Sequence, residues 1–507
     1  MKVNSNHLIL TIDAGSSFLK VALIDKTGNI ISKGQQEINN IYSINNYVEQ
    51  NPIEILNSLI TAIKSTCANI DYKQIKGVGI TNQRETIVLW NKATGMPVYN
   101  AISWQDKRTT VFCDELIKKG YEQIIKTKTG LVINPYFSAT KIKWILENVP
   151  KAQELLKENN LLCGTIDTWL LWNLSKEKSF YTDVSNASRT MLFNLKTLDW
   201  DEEILKLFNI PIEILPEIKP SQFNFGHLNE AIFAPSQIDC IPIKAMIGDQ
   251  QASLLGQCCF EKFDVKTTYG TGCFSLMNIG EEPIFSNHNL LITVAWQFEN
   301  KKPIYAIEGS VFIAGAAIKW LKDGLSIIYR ADEIDYYAKI SKHANEVYVV
   351  PSFVGLGAPY WDLHSRGAIF GIEANTNRED IVTATLNSIA YQCNDLLEVM
   401  AKEIGKQIKF INVDGGITSS QHLMQFQADI ANLEVRKHKS VDVTILGIGY
   451  LTGLSVGIWK DFEEIKNINA NLWDVFKPKI TNEQRKKLIK GWNEAVSRTR
   501  NWKESIK

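Results

Sequence analysis

The sequence predicts an α/β fold built from two similar halves, and three observations lead there. Strand-like and helix-like segments alternate along the chain. An apolar strand ending in Asp, then Gly, then hydroxyl residues occurs twice. It is seen as Leu10-Thr11-Ile12-Asp13-Ala14-Gly15-Ser16-Ser17 and as Ile411-Asn412-Val413-Asp414-Gly415-Gly416-Ile417-Thr418-Ser419-Ser420. A third strand–turn–strand lies at Thr267-Thr268-Tyr269-Gly270-Thr271-Gly272-Cys273-Phe274. A chain of 507 residues is too long for a single core. The boundary is placed near Gln257, dividing residues 1–257 from 258–507, and no Pro/Ser-rich linker marks it, so the halves are expected to pack closely.

Leu8 to Ile12 and Val21 to Asp25 read as β-like runs joined by a Gly/Ser turn. Asn51-Pro52-Ile53-Glu54 then opens a helix, with Asn51 as N-cap, Pro52 at the first helical position and Glu54 completing a capping box. Ile53, Leu56, Leu59, Ile60, Ile63 and Cys67 follow at helical spacing. Lys76 to Thr81 and Thr86 to Trp90 are strand-like again, and Gly95-Met96-Pro97 marks a turn. Ile243 to Ile247 runs into the polar break Gly248-Asp249-Gln250-Gln251, ahead of a small-residue helix starting near Ala252. Val443 to Trp459 is apolar but slightly short of a membrane span and holds four glycines, so it reads as a tightly packed core helix.

Lys+Arg and Asp+Glu balance at 55 each, so no basic field exists to attract nucleic acid or an acidic membrane. The apolar run after His7 ends at Asp13, too short for a signal-peptide core. Eight cysteines are scattered apart from Cys258-Cys259, with no CxxC or Cys/His metal spacing, and are expected to be reduced, buried thiols in a cytoplasmic protein.

No GxxxxGK[ST] run is present and no GxGxxG fingerprint opens the chain, so any phosphate binding needs another device. Asp13-Ala14-Gly15-Ser16-Ser17 offers one. Gly15 permits a tight turn, backbone N–H groups can point at phosphate, the serines can donate, and Asp13 could hold a hydrated Mg²⁺. An ordinary hairpin turn accounts for the same residues, and the same alternative applies at Gly270-Thr271-Gly272 and Asp414-Gly415-Gly416. Arg84 beside Glu85 presents a bidentate donor and a two-oxygen acceptor, which a polyol needs because each hydroxyl donates and accepts. A solvent-exposed ion pair would look alike. Trp104 could cover the carbon skeleton of a sugar-like ligand or fill the core. Asp249, at a helix N-terminus where an anion is favoured, reads as a functional carboxylate or as a helix N-cap.

The order of the three glycine turns resembles the actin-like ATPase superfamily, in which two duplicated ribonuclease H-like domains clamp a nucleotide in an interdomain cleft. Tyr136-Phe137-Ser138-Ala139-Thr140-Lys141-Ile142-Lys143-Trp144-Ile145-Leu146-Glu147-Asn148 matches the first signature of the FGGY carbohydrate kinases. Gly367-Ala368-Ile369-Phe370-Gly371, Asp380-Ile381 and Ala384-Thr385-Leu386-Asn387 resemble the second, departing at Asn387, where an acidic residue or Gln is usual. Ile80 to Thr86, Asn134 to Ser138, Gly164 to Trp169, Asn186 to Asn194, Gly248 to Ala252 and Tyr269 to Phe274 resemble the glycerol-phosphorylating branch of that family.

The resemblance implies transfer of the ATP γ-phosphate to a terminal hydroxyl of glycerol, yielding sn-glycerol 3-phosphate. Asp249 would be the general base. Arg84, Glu85, Tyr136, Asp249 and Gln250 would hydrogen-bond glycerol, with Trp104 and Phe274 against its carbons. Ser16, Ser17, Phe18, Lys20, Thr271, Gly315, Lys319, Gly416 and Ser420 would meet the nucleotide, and Asp13 and Asp249 would hold Mg²⁺ through water. A homodimer or homotetramer is also implied. The departures fall on the nucleotide side. The family pattern Asp-x-Gly-Thr-Thr-Ser-x-Arg becomes Asp13-Ala14-Gly15-Ser16-Ser17-Phe18-Leu19-Lys20, Lys319 stands where Gln is common, and Ser420 where Asn is common. Another sugar or polyol kinase of the family, and a glycerol- or nucleotide-sensing homologue with weakened catalysis, are the competing readings.

Overall fold

The computed structural model describes residues 7–43, 47–232, 241–344, 346–362 and 364–502. Met1 to Asn6 and Cys240, which entered the reading of the N-terminus and of the thiols, lie outside them. Two mixed sheets organise the chain. The first contains β1 (Leu8–Ala14), β2 (Phe18–Asp25), β3 (Ile30–Glu37), β4 (Ile75–Asn82) and β5 (Ile243–Gly248), in the order β3-β2-β1-β4-β5. β1, β2 and β3 pair antiparallel, while β4 and β5 run parallel to β1. The second sheet contains β6 (Val265–Tyr269), β7 (Cys273–Gly280), β8 (Leu291–Trp296), β9 (Ile304–Val311), β10 (Phe410–Asp414), β11 (Glu434–His438) and β12 (Trp473–Phe476). Its order is β8-β9-β7-β6-β10-β11-β12. Without its two edge strands this is the first sheet repeated, with β6, β7 and β9 antiparallel and β10 and β11 parallel to β6. The turn equivalent to the one after Asp13 on β1 is therefore Gly270–Gly272 after β6, whereas Asp414 ends β10, the counterpart of β4, so the two Asp-Gly turns do not occupy equivalent positions.

The run Leu8 to Ile12 is apolar on both faces because both faces are covered. Leu8, Leu10 and Ile12 pack with Ile55, Leu59 and Ile63 of helix α1 (Pro52–Cys67). Ile9 points the other way, towards Ile445, Leu446 and Tyr450 of α3 (Val443–Ser455). Asn51 caps α1 by accepting from the N–H of Ile53 and Glu54. The expected capping box is not completed, because the Glu54 carboxylate takes Asn39 Nδ2 at 2.6 Å instead of returning to Asn51. The buried stripe of α1 is Ile55, Leu59, Ala62, Ile63, Thr66 and Cys67; Ile53, Leu56 and Ile60 lie at its half-buried edge.

The glycine-rich apolar segment explains where the cleft lies. α3 and α2 (Asp249–Gly256) cross at such close range that a Cβ on Gly447 would lie 1.8 Å from Ala252 O, and one on Gly256 would lie 2.0 Å from Val443 O. Ala252, Leu254 and Leu255 of α2 and Ile448 and Leu451 of α3 share one core with Ala245 and Ile247 of β5 and Leu276 and Ala306 of the second sheet. These two helices are the layer between the sheets, and Asp249 opens one of them. No described helix is long and apolar enough to cross a membrane. The seven described cysteines are free thiols, six of them buried.

Candidate active site

β4 ends at Asn82, and the chain turns sharply so that Arg84 and Glu85 point inward, with Glu85 in the left-handed region at φ 63°. Two side chains of the helix Ser138–Asn148 hold that conformation: Ser138 Oγ donates to Glu85 O at 3.0 Å, and Lys141 Nζ donates to Tyr136 O at 2.6 Å and Glu85 O at 3.4 Å. Lys141 is fully buried, which pushes its ammonium down to about 7. Two charged or hydroxyl positions of the first signature are thereby accounted for as clamps on the backbone of Glu85 and Tyr136.

Arg84 and Glu85 do not form an exposed pair; both are buried and each is engaged elsewhere. Arg84 grips Glu308 with both ends of its fork, at 2.6 and 3.0 Å, donates to Gln251 Oε1 at 3.2 Å, and brings Nε within 3.4 Å of Asp249 Oδ1. Arg189 donates to Glu85 Oε1 at 2.7 Å and to Glu308 Oε1 at 3.0 Å. Asp249, Arg84, Glu308, Arg189 and Glu85 therefore form a continuous chain of alternating charge. Glu308 is held at about 2: burial pushes it up, and the two guanidinium groups more than reverse that.

Asp249 is the first residue of α2, while the N-cap position belongs to Gly248. Its carboxylate accepts the N–H of Gln250 at 2.7 Å. Burial raises Asp249 above the usual carboxylate range and Glu85 adds to the rise; Arg84, Lys266 and the Gln250 N–H act against it. A raised carboxylate is a stronger base, as general-base work requires. Gln250 accepts from Lys266 Nζ, which also donates to Thr268 Oγ1 at 2.9 Å. Burial of Lys266 lowers it to about 8.

The aromatic residues close the same region. Trp104 meets Tyr136 and Phe274 edge-on, with centroids 5.7 and 6.2 Å away. These three rings, with Pro135, Phe312 and Ile313, line a cavity of about 240 Å³ between the two sheet units. Trp104 is half-buried and donates Nε1–H to Ser16 Oγ at 2.8 Å, so it joins the acceptor-side rings to the first phosphate turn. Its loop is tied down by Arg108, which pairs with Asp106 and Glu49 and stacks over Tyr47 at 4.0 Å and over Trp144 of the signature helix at 4.5 Å.

The nucleotide-side residues are arranged differently. Gly15 N donates to Phe18 O at 3.1 Å, closing the first turn, with Ser17 and Phe18 exposed. Lys20 is turned to Asp442, just ahead of α3, at 3.3 Å, and Lys33 takes the other oxygen at 2.7 Å. The Gly270–Gly272 turn receives N–H bonds from Ala314, Gly315 and Ala316 at the start of the helix Gly315–Lys319. Thr271, Lys319 and Gly416 are exposed. Gly415 has φ 100°, and a Cβ there would lie 2.3 Å from Tyr269 O, so only glycine brings this turn against β6. Ser420 is the N-cap of the helix Gln421–Ala431 and is also hydrogen-bonded to Asp335. Asn387, the departure in the second signature, is buried and hydrogen-bonds the ring of His422 at 2.8 Å, a structural duty.

The carboxylates that could hold a divalent cation are those of Asp13 and Asp249. Burial raises Asp13 to about 7, with Asp249 and Asp442 adding to the rise and Lys20 opposing it. No described residue hydrogen-bonds the Asp13 carboxylate. Two coupled carboxylates of this kind suit Mg²⁺, which draws its remaining ligands from water and phosphate. Among the described residues no group of three or more acidic, His or Cys side chains forms a fuller cage.

Glu308, Arg189, Gln251 and Lys266 were not singled out as site residues by the sequence reading. The available signal was a charge inside an apolar strand: Glu308 within Tyr305-Ala306-Ile307-Glu308-Gly309, and Lys266 after Val265. A charge so placed must be paired or must serve a ligand.

Comparison with known proteins identifies the family. The FGGY family of carbohydrate kinases, N-terminal domain, matches residues 8–256, and its C-terminal domain matches residues 265–456. A glycerol kinase of Malacoplasma penetrans (strain HF-2) is 50% identical over 506 residues, covering 99% of this chain and 100% of the relative. One from Mycoplasma pneumoniae is 52% identical over 498 residues, covering 97% and 98%. The crystal structure of Plasmodium falciparum glycerol kinase with ADP superposes with a TM-score of 0.91 at 36% identity, covering 98% of this chain and 99% of that one. With both family domains matched in order and such relatives similar from end to end, the chain belongs to the FGGY family of carbohydrate kinases.

Proposed function

We propose that this chain transfers the γ-phosphate of ATP to a terminal hydroxyl of glycerol, with Asp249 as general base. Residues 1–257 would carry most of the acceptor side and the first phosphate turn, and residues 258–507 most of the nucleotide side. The observation that carries this reading is the continuous polar chain Asp249–Arg84–Glu308–Arg189–Glu85 beside the Trp104, Tyr136 and Phe274 rings. A polyol of three carbons offers hydroxyls that both donate and accept, and a short apolar edge for the rings. Glu85 has one carboxylate oxygen engaged by Arg189, leaving the other for a hydroxyl. Glycerol kinases among the full-length relatives support the same acceptor.

In the reaction, Asp249 would take the proton of the attacking hydroxyl as its oxygen bonds to the γ-phosphorus, and ADP would leave with the electrons of the broken P–O bond. Phosphoryl transfer asks mainly for positioning and charge stabilisation. Backbone N–H groups of the turns at Gly15, Gly270–Gly272 and Gly415–Gly416 would face the phosphates. Bound Mg²⁺, held by Asp13 and Asp249, would offset the phosphate charge. The test is a coupled assay of ADP release with ATP, Mg²⁺ and a panel of glycerol, dihydroxyacetone, erythritol, xylitol and D-xylulose. The reading requires glycerol to give the highest kcat/KM; a preference for xylitol or D-xylulose would replace it with a larger-acceptor kinase.

A further inference from the structure

We infer that Glu308 is the positioning residue of the acceptor pocket, reaching from the second sheet to fix both Arg84 and Arg189 in the geometry that receives the acceptor. This inference deepens the proposed function and rests on it. Glu308 lies on β9, whereas Arg84 follows β4 of the first sheet and Arg189 follows the short helix Val184–Ala187. Glu308 is thus the second sheet's carboxylate in a pocket whose other carboxylates, Asp249 and Glu85, come from N-terminal segments. All three side chains are essentially inaccessible, at 2% for Arg84 and 0% for Glu308 and Arg189.

The physical argument is one of buried like charges. Two guanidinium groups share one carboxylate, with Oε1 accepting from both and Oε2 from Arg84 alone. Arg84 opposes the charge on Arg189, and Glu308 favours it. Remove the negative charge and the arginines repel each other at short range with no solvent to screen them. Each would then move toward its remaining carboxylate, Arg84 toward Asp249 and Arg189 toward Glu85. Those are the groups assigned to the acceptor hydroxyls, so the polyol would meet competitors for its own partners. Nothing in this rearrangement touches the glycine turns of the nucleotide side.

Steady-state kinetics of Glu308→Gln and Glu308→Asp, with KM measured separately for glycerol and for ATP, tests the assignment. Glu308→Gln, which keeps the shape and loses the charge, should raise KM for glycerol about 10- to 100-fold while KM for ATP changes less than about threefold. Glu308→Asp, which keeps the charge, should recover most of the loss. Should the Gln variant fail to fold, the Asp variant carries the test: a shortened carboxylate should raise KM for glycerol by about three- to tenfold and leave KM for ATP unchanged. Parallel rises in both constants, a folded Gln variant with KM for glycerol within about twofold of wild type, or, where only the Asp variant folds, an Asp variant with no rise in that constant, would overturn it. Wild-type activity on a different polyol would defeat the glycerol reading alone, and the same split measured with that polyol would still decide the role of Glu308.

Discussion

The two sides of the cleft are built on opposite plans. On the acceptor side, side chains hold side chains: Arg84, Glu308, Arg189 and Glu85 are buried and mutually bonded, and Lys141 and Ser138 fix the backbone beneath them. On the proposed nucleotide side, turns would carry the recognition. Ser17, Phe18, Thr271, Lys319 and Gly416 are exposed, while Lys20 and Ser420 are occupied by Asp442 and by a helix cap. A small neutral acceptor supplies few contacts, so its partners must be fixed in advance. A polyphosphate can be gripped by backbone N–H groups, which every residue except proline has. Replacement of the usual Thr-Thr-Ser-x-Arg by Ser16-Ser17-Phe18-Leu19-Lys20 is tolerable on the second plan and would not be on the first.

That contrast sets the expected size of each perturbation. The largest falls on the base: Asp249→Asn should lower kcat by about 10²–10⁴-fold with glycerol binding retained, measured by coupled assay and calorimetric titration. A variant within a few-fold of wild type would remove Asp249 from the chemistry.

Next comes acid sensitivity. Glu308 sits at about 2 instead of its ordinary 4.5. An acid held below its unfolded value contributes stability above about pH 4.5 and loses it as the pH falls from there toward 2. The thermal midpoint of the wild type should therefore drop more steeply than that of Glu308→Gln between about pH 5 and about pH 3. Parallel curves would show that the acceptor network is not where the acid-labile stability resides.

Smaller effects belong to the nucleotide side. Ser420→Ala removes a helix cap and should cost about 1 kcal/mol, seen as a lower thermal midpoint, with KM for glycerol unchanged. Lys20→Met breaks a partly exposed pair with Asp442, worth about 0.2–1 kcal/mol. It should raise KM for ATP only about 1.5- to 5-fold. A larger rise would mean that Lys20 leaves Asp442 for phosphate when the nucleotide binds, and would bring the two sides closer in kind.

Much of the fold was legible because its signals are local. The Asp-Gly turns at Asp13 and Asp414 announced a repeated unit, and the strand orders do repeat, but β1 matches β6 and β10 matches β4, so the two turns are not each other's counterparts. The glycines of the apolar segment after Val443 announced close packing, and Gly447 lies against Ala252. The capping box at Asn51 was misread because Glu54 had a competing partner in Asn39, which sequence spacing cannot show. The candidate site divided in the same way. Arg84, Glu85, Trp104, Tyr136 and Phe274 stand in recognisable motifs, and the structure gathers them with Asp249. Glu308 sits 224 positions from Arg84 in a strand with no motif around it, so its role emerged only when the sheets were in place.

The sequence by itself determined the alternation of strands and helices, the duplicated turn, the absence of a P-loop and the family, because each depends on residues near one another in the chain. Only the tertiary structure decided that Arg84 and Glu85 are not partners, that Lys20 faces Asp442 and that one carboxylate holds two arginines. The physical reason is that a buried charge takes whichever opposite charge the packing of distant segments brings within a hydrogen bond, and that choice is made between sheets, not along the chain.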